Sequence, residues 1–391
     1  MTSAGSDQGF PFIRYEAGQQ PRDWGHAHGA AHAEGIQELA AIRRDLMQNA
    51  NPSLVGDTVT GLAKRQWEIT RSWSPRLAEE IEGISEGANV PIEDLVILNN
   101  YTDFRDINPS EHPGPAEEKG CSTLFLDNGK QSLAGQTWDM HGTAKKYVCV
   151  IEVPAGDEGA PLLLFSLVGC VGLMGFNGEG RMVGVNNLNT VKARPGVLWP
   201  VLVRETLLRH DRDAMEHLLR EAPVTSGHNY LVADAKGATH WEISPTVRAA
   251  AGSAGGKPGF AFHTNHCLTP PGKEAEMPAS LNSTTHVRYG LLEKKLRADL
   301  DYEGVYRLLT DHEGYPKSIC SHFQSAAKDP SYTCGGALAE MRSGQIRMWR
   351  GCPALDENYV EREYTLKNGG FTVGPVKTGI RPDRAGEVTR G

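Results

Sequence analysis

The sequence lacks any block of lysine and arginine residues, and its formal net charge is −8 at pH 7. Nucleic acids and anionic membrane surfaces are bound by basic faces, so we expect neither as a partner. The longest apolar run, roughly residues 161–176, is broken by glycines and by Ser166. A helix needs about 20 consecutive apolar residues to cross a bilayer, so this run is not a candidate membrane span.

Targeting and redox signals are also missing. The first residues, MTSAGSDQGFPF, contain no basic region followed by an apolar stretch, so they do not read as a secretory signal. The seven cysteines include no CxxC pair, which argues against a zinc ribbon or a thioredoxin-type motif. We therefore expect a cytoplasmic protein in which most cysteines are small buried hydrophobic residues. The cysteines interpreted in this way are Cys149, Cys170, Cys267, Cys320, Cys334 and Cys352.

The chain changes character near residue 120. Before this point apolar residues recur at helical spacing, whereas after it short β-rich segments are separated by turns. Between the two parts, residues 106–120 are rich in proline, glycine and acidic residues, which predicts a mobile surface segment. Antiparallel strands with helices grouped apart indicate an α+β fold. The chain beyond Gly369 is expected to be loosely ordered.

The junction itself, Gly120-Cys121, could support chemistry. Gly120 has no side chain to hinder attack on its carbonyl, and the Cys121 thiol could attack that carbonyl to form a thioester. Hydrolysis would leave Cys121 as a new N-terminus. Its α-amine, with an ordinary pKa of about 7.7–8.0, could then act as general base for its own thiol. On these residues alone, a buried strand cysteine is the more common interpretation of Cys121.

Seven stretches together resemble the acyl-coenzyme A:6-aminopenicillanate acyltransferase family of N-terminal-nucleophile hydrolases, which also includes β-alanyl-amine hydrolases. The stretches are GHAHG (25–29), GCSTL (120–124), GQTWDM (135–140), GFNGEGRMVGVNNL (175–188), HNYLVAD (228–234), HTNH (263–266) and the YTC…GCP pattern (332–353). The resemblance implies a four-layer αββα sandwich and self-cleavage between Gly120 and Cys121. Residues 1–120 would form a helical fragment and residues 121–391 a strand-rich catalytic fragment, which stay together as one domain.

The resemblance also assigns roles to residues. It places Cys121 as the nucleophile, Thr123 as a hydroxyl that assists self-cleavage, and Asp139 as a group that orients the new ammonium or transfers protons. Asn265 falls on the oxyanion donor, a role that suits an uncharged amide. Arg288 would bind a substrate carboxylate or favour the thiolate of the nucleophile.

Some of these matches have structural alternatives. The match of Ser283 with Arg288 is ambiguous within NSTTHVR, and Asp139 could instead cap a turn. Asn177, Asn186 and Asn187 could line the pocket or satisfy the backbone of a turn.

Other functions remain open at this level. His26, His28 and His32 could hold a metal, as in metal-dependent amidohydrolases, but the residues before them do not form the expected strand. We expect His28 instead to pack the N-terminal segment against the active site. The glycines from 169 to 180 do not form GxGxxG, which argues against a dinucleotide cofactor.

We therefore expect an enzyme that uses neither cofactor nor metal. It would cleave a linear amide of a small-molecule substrate through a Cys121 thioester. The alternative is an acyltransferase that passes the acyl group to an amine, with acyl-CoA as one candidate donor. A binding protein in which Cys121 is never processed is the remaining rival.

Overall fold

The computed structural model describes residues 10–107, 120–156, 159–277, 283–324 and 328–388. Most of the segment expected at the surface between the two parts of the chain, residues 108–119, lies outside the described residues. Within the described ranges, every helix is too short or too polar to cross a lipid bilayer.

The N-terminal part is helical, as predicted. Its first residues form β1 (Phe12–Arg14), and five helices follow: α1 (Pro21–Ala31), α2 (Ala33–Ala50), α3 (Gly56–Trp73), α4 (Pro75–Ala88) and α5 (Ile92–Asp106). The break between α3 and α4 falls at Ser74, because Pro75 cannot donate a hydrogen bond within a helix but suits its first turn.

The remainder of the chain contains fourteen strands and five α-helices among its described residues. The strands are β2 (Cys121–Asp127), β3 (Ser132–His141), β4 (Val148–Val153), β5 (Leu162–Leu167), β6 (Met174–Asn177), β7 (Met182–Leu188), β8 (Gly227–Asp234), β9 (Gly237–Ile243), β10 (Arg248–Gly255), β11 (Gly259–His263), β12 (Ser331–Glu340), β13 (Gln345–Arg350), β14 (Val360–Lys367) and β15 (Gly370–Thr378). The helices are α6 (Trp199–Leu207), α7 (Arg212–Glu221), α8 (Pro270–Ala275), α9 (Thr285–Lys295) and α10 (Tyr302–Leu309).

The strands form two sheets. One has the order β1-β4-β5-β6-β7-β8-β9-β10, and the other has the order β11-β2-β3-β12-β13-β14-β15. All neighbouring strands run antiparallel except β1 and β4. Strand β2, which begins at Cys121, is therefore an interior strand with a hydrogen-bonded neighbour on each side.

The two sheets pack face to face, with helices on both outer surfaces. Strand β7 of the first sheet contacts β2 and β3 of the second, α6 and α7 contact the first sheet, and α10 contacts β3 and β12. The resulting order of layers is helix, sheet, sheet, helix, which confirms the αββα sandwich. The main hydrophobic core draws on both parts of the chain, since Ile36 and Leu98 belong to the same buried cluster as Val150 and Phe165.

The chain between Trp199 and Glu221 forms two helices rather than one, because Asp211 caps α7 by accepting a hydrogen bond from the backbone N–H of Ala214. One local prediction is wrong. The chain beyond Gly369 is not loosely ordered at first: residues 370–378 form β15, which pairs with β14. Its alternating polar residues are those of an edge strand.

The GHAHG stretch is a helix-packing motif. A side chain at Gly25 or Gly29 of α1 would overlap the backbone of α4, and one at Gly83 or Gly87 of α4 would overlap the backbone of α1. Four glycines thus let the two helices approach closely. Both ring nitrogens of His28, in the same region, have protein partners: Nδ1 is 3.3 Å from the Tyr15 hydroxyl, and Nε2 accepts the backbone N–H of Gly169 at 3.0 Å.

These partners of His28 remove the basis for a metal site at His26 and His28. Burial lowers the pKa of His28 to about 3, so its ring is neutral and both nitrogens are already bound within the protein. The contacts of His28 are with β1 and the turn after β5. Its role is to pack the N-terminal helices on the first sheet.

We expect Gly29→Ala to destabilise the protein by about 1–3 kcal/mol, since the added methyl group must push α1 and α4 apart. Urea denaturation measures the change. Gly61→Ala in α3 is the matched control, because its methyl group meets only the end of the Arg65 side chain. A loss of stability no larger in Gly29→Ala than in the control would contradict the packing role.

Candidate active site

Three strand ends of the second sheet meet at one edge and bring the predicted residues together. Cys121 opens β2, Asp139 lies near the end of the neighbouring β3, and Asn265 follows the end of β11 on the other side. Arg288 reaches the same point from α9. Antiparallel pairing explains the convergence, because the start of a strand lies beside the ends of its two neighbours.

The peptide bond between Gly120 and Cys121, unbroken in this structure, is held on both sides. The Cys121 N–H donates to Asn265 Oδ1 at 2.7 Å, and the Gly120 carbonyl accepts the backbone N–H of Asp139 at 2.7 Å. The next carbonyl, that of Cys121, accepts Arg288 Nη1 at 2.7 Å and Asn186 Nδ2 at 2.8 Å. Hydrogen bonds therefore fix the orientation of the predicted scissile bond.

Arg288 is completely buried and organises this corner of the site. Besides its bond to the Cys121 carbonyl, it donates to Ser122 Oγ at 3.1 Å and to Asn265 Oδ1 at 2.8 Å. Its Nε donates to Thr284 Oγ1 at 3.0 Å at the start of α9. Ser283 instead accepts the backbone N–H of Thr285 at 3.3 Å. Of the ambiguous pair, Arg288 is thus the residue that reaches Cys121.

Asp139 carries a carboxylate with one oxygen unused. Its Oδ1 accepts the Thr333 hydroxyl at 2.7 Å, while Oδ2 is buried without a hydrogen-bond partner and lies 4.0 Å from Arg288 Nε. Burial raises the pKa of Asp139 to about 6, although Arg288 and the Thr333 hydroxyl oppose the shift. A side chain at residue 120 would overlap Oδ2, so only glycine fits beside this carboxylate.

The Cys121 thiol is neutral while the chain is unbroken. Burial raises its pKa to about 12, and the nearby negative charge of Asp139 adds to the shift. The backbone N–H of Asp139, the Arg288 charge and the Gln136 amide act in the opposite direction. Because a thiolate is the reactive species, this thiol needs a base before it can attack.

Asn265 and Thr123 lie at the site, but their polar groups are occupied. The Asn265 amide Nδ2 donates to the Asn187 carbonyl at 2.9 Å, while the Gly120 carbonyl accepts the backbone N–H of Asp139. The Thr123 hydroxyl donates to Asn186 Oδ1 at 2.6 Å. Thr123 therefore contacts the scissile region through Asn186, which in turn binds the Cys121 carbonyl.

A small cavity adjoins Cys121. Its volume is about 30 Å³, which is close to the volume that one molecule occupies in liquid water. Its lining is mainly apolar and aromatic, with Trp138, Met140, Leu173, Val185 and Trp199, and it includes His228 and Thr102. Two larger surface clefts, of about 730 and 540 Å³, lie around Tyr147 and contain no cysteine. The small cavity is the candidate substrate site because Cys121 lines it, although the two clefts are larger.

Several contributors to the site were not assigned from the sequence. Gln136 and Thr333 lie within the GQTWDM and YTC stretches but were given no role, and Asn186 could not be told apart from a turn residue. Asn186 comes from the opposite sheet, and only the face-to-face packing of β7 against β2 places it on the Cys121 carbonyl. Side chains alternate between the two faces of a strand, so the GVNNL stretch could have indicated that Asn186 faces inward.

The sequence model of the acyl-coenzyme A:6-aminopenicillanic acid acyl-transferase family matches residues 126–348, more than half of the chain. The chain belongs to this family, as its motifs predicted. The 40 kDa form of acyl-coenzyme A:6-aminopenicillanic-acid-acyltransferase from Emericella nidulans is 26% identical over 309 residues, which cover 78% of this chain and 83% of that protein.

Solved structures of amide hydrolases also match at low identity. A mutant of conjugated bile acid hydrolase from Clostridium perfringens matches with a TM-score of 0.39 and 10% identity, covering 65% of this chain and 96% of that one. Penicillin V acylase from Agrobacterium tumefaciens matches with a TM-score of 0.34 and 11% identity, covering 64% and 92%. The family model and the curated relative both carry the name of an acyltransferase, so the chain belongs to a family of enzymes.

Proposed function

We propose that the protein cleaves itself between Gly120 and Cys121 and then hydrolyses a linear amide through a thioester on Cys121. The observation that carries the proposal is the hydrogen-bonded Gly120–Cys121 peptide, with a buried thiol and a carboxylate oxygen without a partner beside it. A buried strand cysteine with no chemical role would require neither feature.

The self-cleavage step can be written from these contacts. Asp139 Oδ2 takes the thiol proton, and the Cys121 sulfur attacks the Gly120 carbonyl carbon. The backbone N–H of Asp139 stabilises the developing oxyanion, because it already binds that oxygen. The C–N bond then breaks, the Cys121 nitrogen takes up a proton, and water hydrolyses the thioester to give the Gly120 carboxylate and the free Cys121 thiol.

Turnover of a substrate would reuse the same groups. The new α-amine of Cys121 acts as general base for its thiol. After cleavage the Cys121 nitrogen is a free amine that the peptide bond no longer holds in place, so Asn265 can turn its amide N–H toward a substrate oxyanion. Arg288 is hydrogen-bonded to both Asn265 and the Cys121 carbonyl, so it holds these two residues in a fixed position relative to each other.

The two fragments would remain associated after cleavage. Buried residues on both sides of the junction belong to one hydrophobic core, and Asn265, Arg288 and Asp139 all lie in the larger fragment with the nucleophile. We propose that fragment 1–120 stays as a partner of fragment 121–391 and that departure of the chain end at Gly120 enlarges the cavity.

The acyl group is expected to be apolar or aromatic, because Trp138, Met140 and Leu173 line the cavity. Hydrolysis and acyl transfer differ only in the acceptor that attacks the thioester. Purified cleaved enzyme should therefore be given aryl-acyl amides with and without a primary amine. Release of the free acid in both cases supports an amidase, whereas diversion of the acyl group to the amine supports the acyltransferase alternative. No turnover of any amide or acyl-thioester by fully cleaved protein would contradict both.

Gly120→Ala should slow self-cleavage strongly, because its methyl group would displace the Asp139 carboxylate. A displacement of about 1 Å in a reacting group costs on the order of 10²-fold in rate. The fraction cleaved over time on denaturing gels measures the effect. Gly290→Ala, in α9 with open space around it, is the matched control and should be cleaved like wild type. Equal rates for both variants would contradict the assigned position of Asp139.

Self-cleavage should be pH-dependent, with a rate that rises as Asp139 ionises near pH 6. Below this pH the protonated carboxyl cannot accept the thiol proton, so the rate falls; above it, the rate levels off. The charged and titratable groups around it include Arg288, His322 and three thiols, those of Cys121, Cys320 and Cys334. Cleavage can be timed in chains refolded from denaturant at a series of pH values.

The matched variants for this pH profile are Asp139→Asn and Asp127→Asn, the latter at the other end of β2. Asp139→Asn should cleave slowly at every pH without the inflection near 6, and Asp127→Asn should keep it. An unchanged inflection in Asp139→Asn would assign the proton transfer to another group.

A further inference from the structure

A second cluster of reactive side chains lies outside the proposed catalytic residues. His312 and His322, with Cys320 and Cys352, bring one donor atom each to within 4.8 Å of one another. We call these four residues the Cys2His2 cluster. Three of them come from the loop after α10, and Cys352 comes from the turn after β13. Two segments far apart in sequence therefore converge on one point.

Three of the distances in the cluster are close to those expected around a tetrahedral zinc ion. Zinc bonds of about 2.0–2.3 Å place neighbouring ligand atoms about 3.3–3.8 Å apart. Here His312 Nε2 lies 3.2 Å from Cys352 Sγ and 3.3 Å from His322 Nε2. Cys320 Sγ lies 3.6 Å from His322 Nε2. Two thiols and two ring nitrogens thus point toward a common centre.

The surroundings of His312 fit the ligand form of its ring. Its side chain is buried and its Nδ1 has no hydrogen-bond partner, but this atom lies 3.9 Å from Glu387 Oε2. A carboxylate on that side favours the proton at Nδ1, which leaves the lone pair of Nε2 directed into the cluster. Arg384 holds this carboxylate at 2.7 Å. Carboxylates in this position are common behind histidine ligands of zinc.

We propose that the Cys2His2 cluster is a structural zinc site. Its four protein ligands fill a tetrahedral shell, which leaves no open position for substrate, and the mixed thiolate and imidazole set selects zinc among the common divalent cations. The site does not depend on the proposed amide hydrolysis, since none of its ligands is assigned a catalytic role.

The zinc site would fasten the loop after α10 to the turn after β13, and this loop also contacts β12, the strand that supports Asp139. Ser321, between two of the ligands, donates its N–H to Thr333 Oγ1 at 2.8 Å, and its carbonyl accepts the Thr333 N–H at 2.9 Å. The same Thr333 hydroxyl donates to Asp139 Oδ1 at 2.7 Å. Zinc binding would therefore act on the catalytic edge through Thr333, as a positioning device rather than a reacting group.

The test is the zinc content of untagged full-length protein, measured by plasma mass spectrometry after gel filtration in a buffer containing EDTA. We expect about one zinc ion per chain. Cys352→Ser and His312→Gln should each lower this to below about a tenth of the wild-type content, since a tetrahedral site loses most of its affinity with a ligand. Cys149→Ala, a buried thiol elsewhere, is the matched control and should retain the metal.

Cobalt substitution gives a readout that needs no variant. Wild-type protein produced with cobalt should show thiolate-to-cobalt charge-transfer absorption together with the intense bands of tetrahedral Co²⁺. Folded wild-type protein that lacks both zinc and this spectrum would overturn the proposal. So would a disulfide between Cys320 and Cys352 in the purified protein, or zinc that remains undiminished in Cys352→Ser.

Discussion

Cys121→Ala is expected to abolish amide turnover, with a loss on the order of the 10⁶-fold that removal of a catalytic nucleophile causes. The thiol forms the thioester on which every later step depends. Among the described residues, Cys121 is the cysteine whose backbone is hydrogen-bonded to both Asn265 and Arg288. The measurement is acyl-amide hydrolysis by equal amounts of folded wild type and variant. Peptide mapping after treatment with a thiol alkylator should locate the label on Cys121 in step with the loss of activity.

Cys267→Ala is the matched control, because Cys267 is buried close to Asn265 in sequence but the charged groups that act on its thiol are Glu276, Glu242 and Lys273. Its backbone N–H donates to Glu276 Oε1 at 2.9 Å, and burial raises the pKa of its thiol above the ordinary range. We expect this variant to keep most of its activity. Inactivation that tracks labelling of Cys267 while Cys121 stays unmodified would show that the nucleophile has been misassigned.

Asn265→Ala should lower kcat of the cleaved enzyme by about 10²–10³-fold, as expected for loss of one oxyanion donor. The effect should fall on kcat more than on KM, because the donor acts where charge develops in the transition state. The extent of self-cleavage must be determined first. In the unbroken chain, Asn265 Oδ1 accepts the N–H of the scissile peptide and is also bound by Arg288.

Asn265→Asp separates the two roles of this residue. The substitution keeps the acceptor oxygen that faces Cys121 and Arg288, so self-cleavage should proceed further than in Asn265→Ala. It removes the amide N–H, so turnover should remain as low as in the alanine variant. A cleaved Asn265→Asp enzyme with near wild-type kcat would remove Asn265 from the oxyanion site.

The resemblance to the acyltransferase family implied that Cys121, Asp139 and Asn265 share one site. The structure gives the physical reason, since each residue lies at the boundary of a strand and antiparallel neighbours bring such boundaries together. Arg288 was harder to place, because helix α9 begins within NSTTHVR and its register relative to β2 depends on tertiary packing. The structure settles its position through its contacts with Cys121 and Ser122.

Other features depend on contacts between segments that the sequence does not show to be neighbours. Asn186 reaches Cys121 across the two sheets, and Thr333 reaches Asp139 across a strand pair with an irregular register. Strand β10 has the sequence RAAAGSAG, whose alanines and glycines have low strand propensity, so only pairing with β9 defines it.

The Cys2His2 cluster was also invisible in the sequence. Cys320 and Cys352 were interpreted as packing residues, because no two cysteines have the short spacing of common zinc motifs. The fold brings them together by placing the loop after α10 beside the turn after β13.

The most direct test of the account is the intact mass of the purified protein under denaturing conditions, compared with that of Cys121→Ala. Wild type should give two species, with masses of residues 1–120 and 121–391 apart from any trimming of the first fragment's ends, and the larger should begin with Cys121. The alanine variant should give one species with the mass of the full chain. A single full-length mass for wild type, or the same break in Cys121→Ala, would contradict self-cleavage by Cys121.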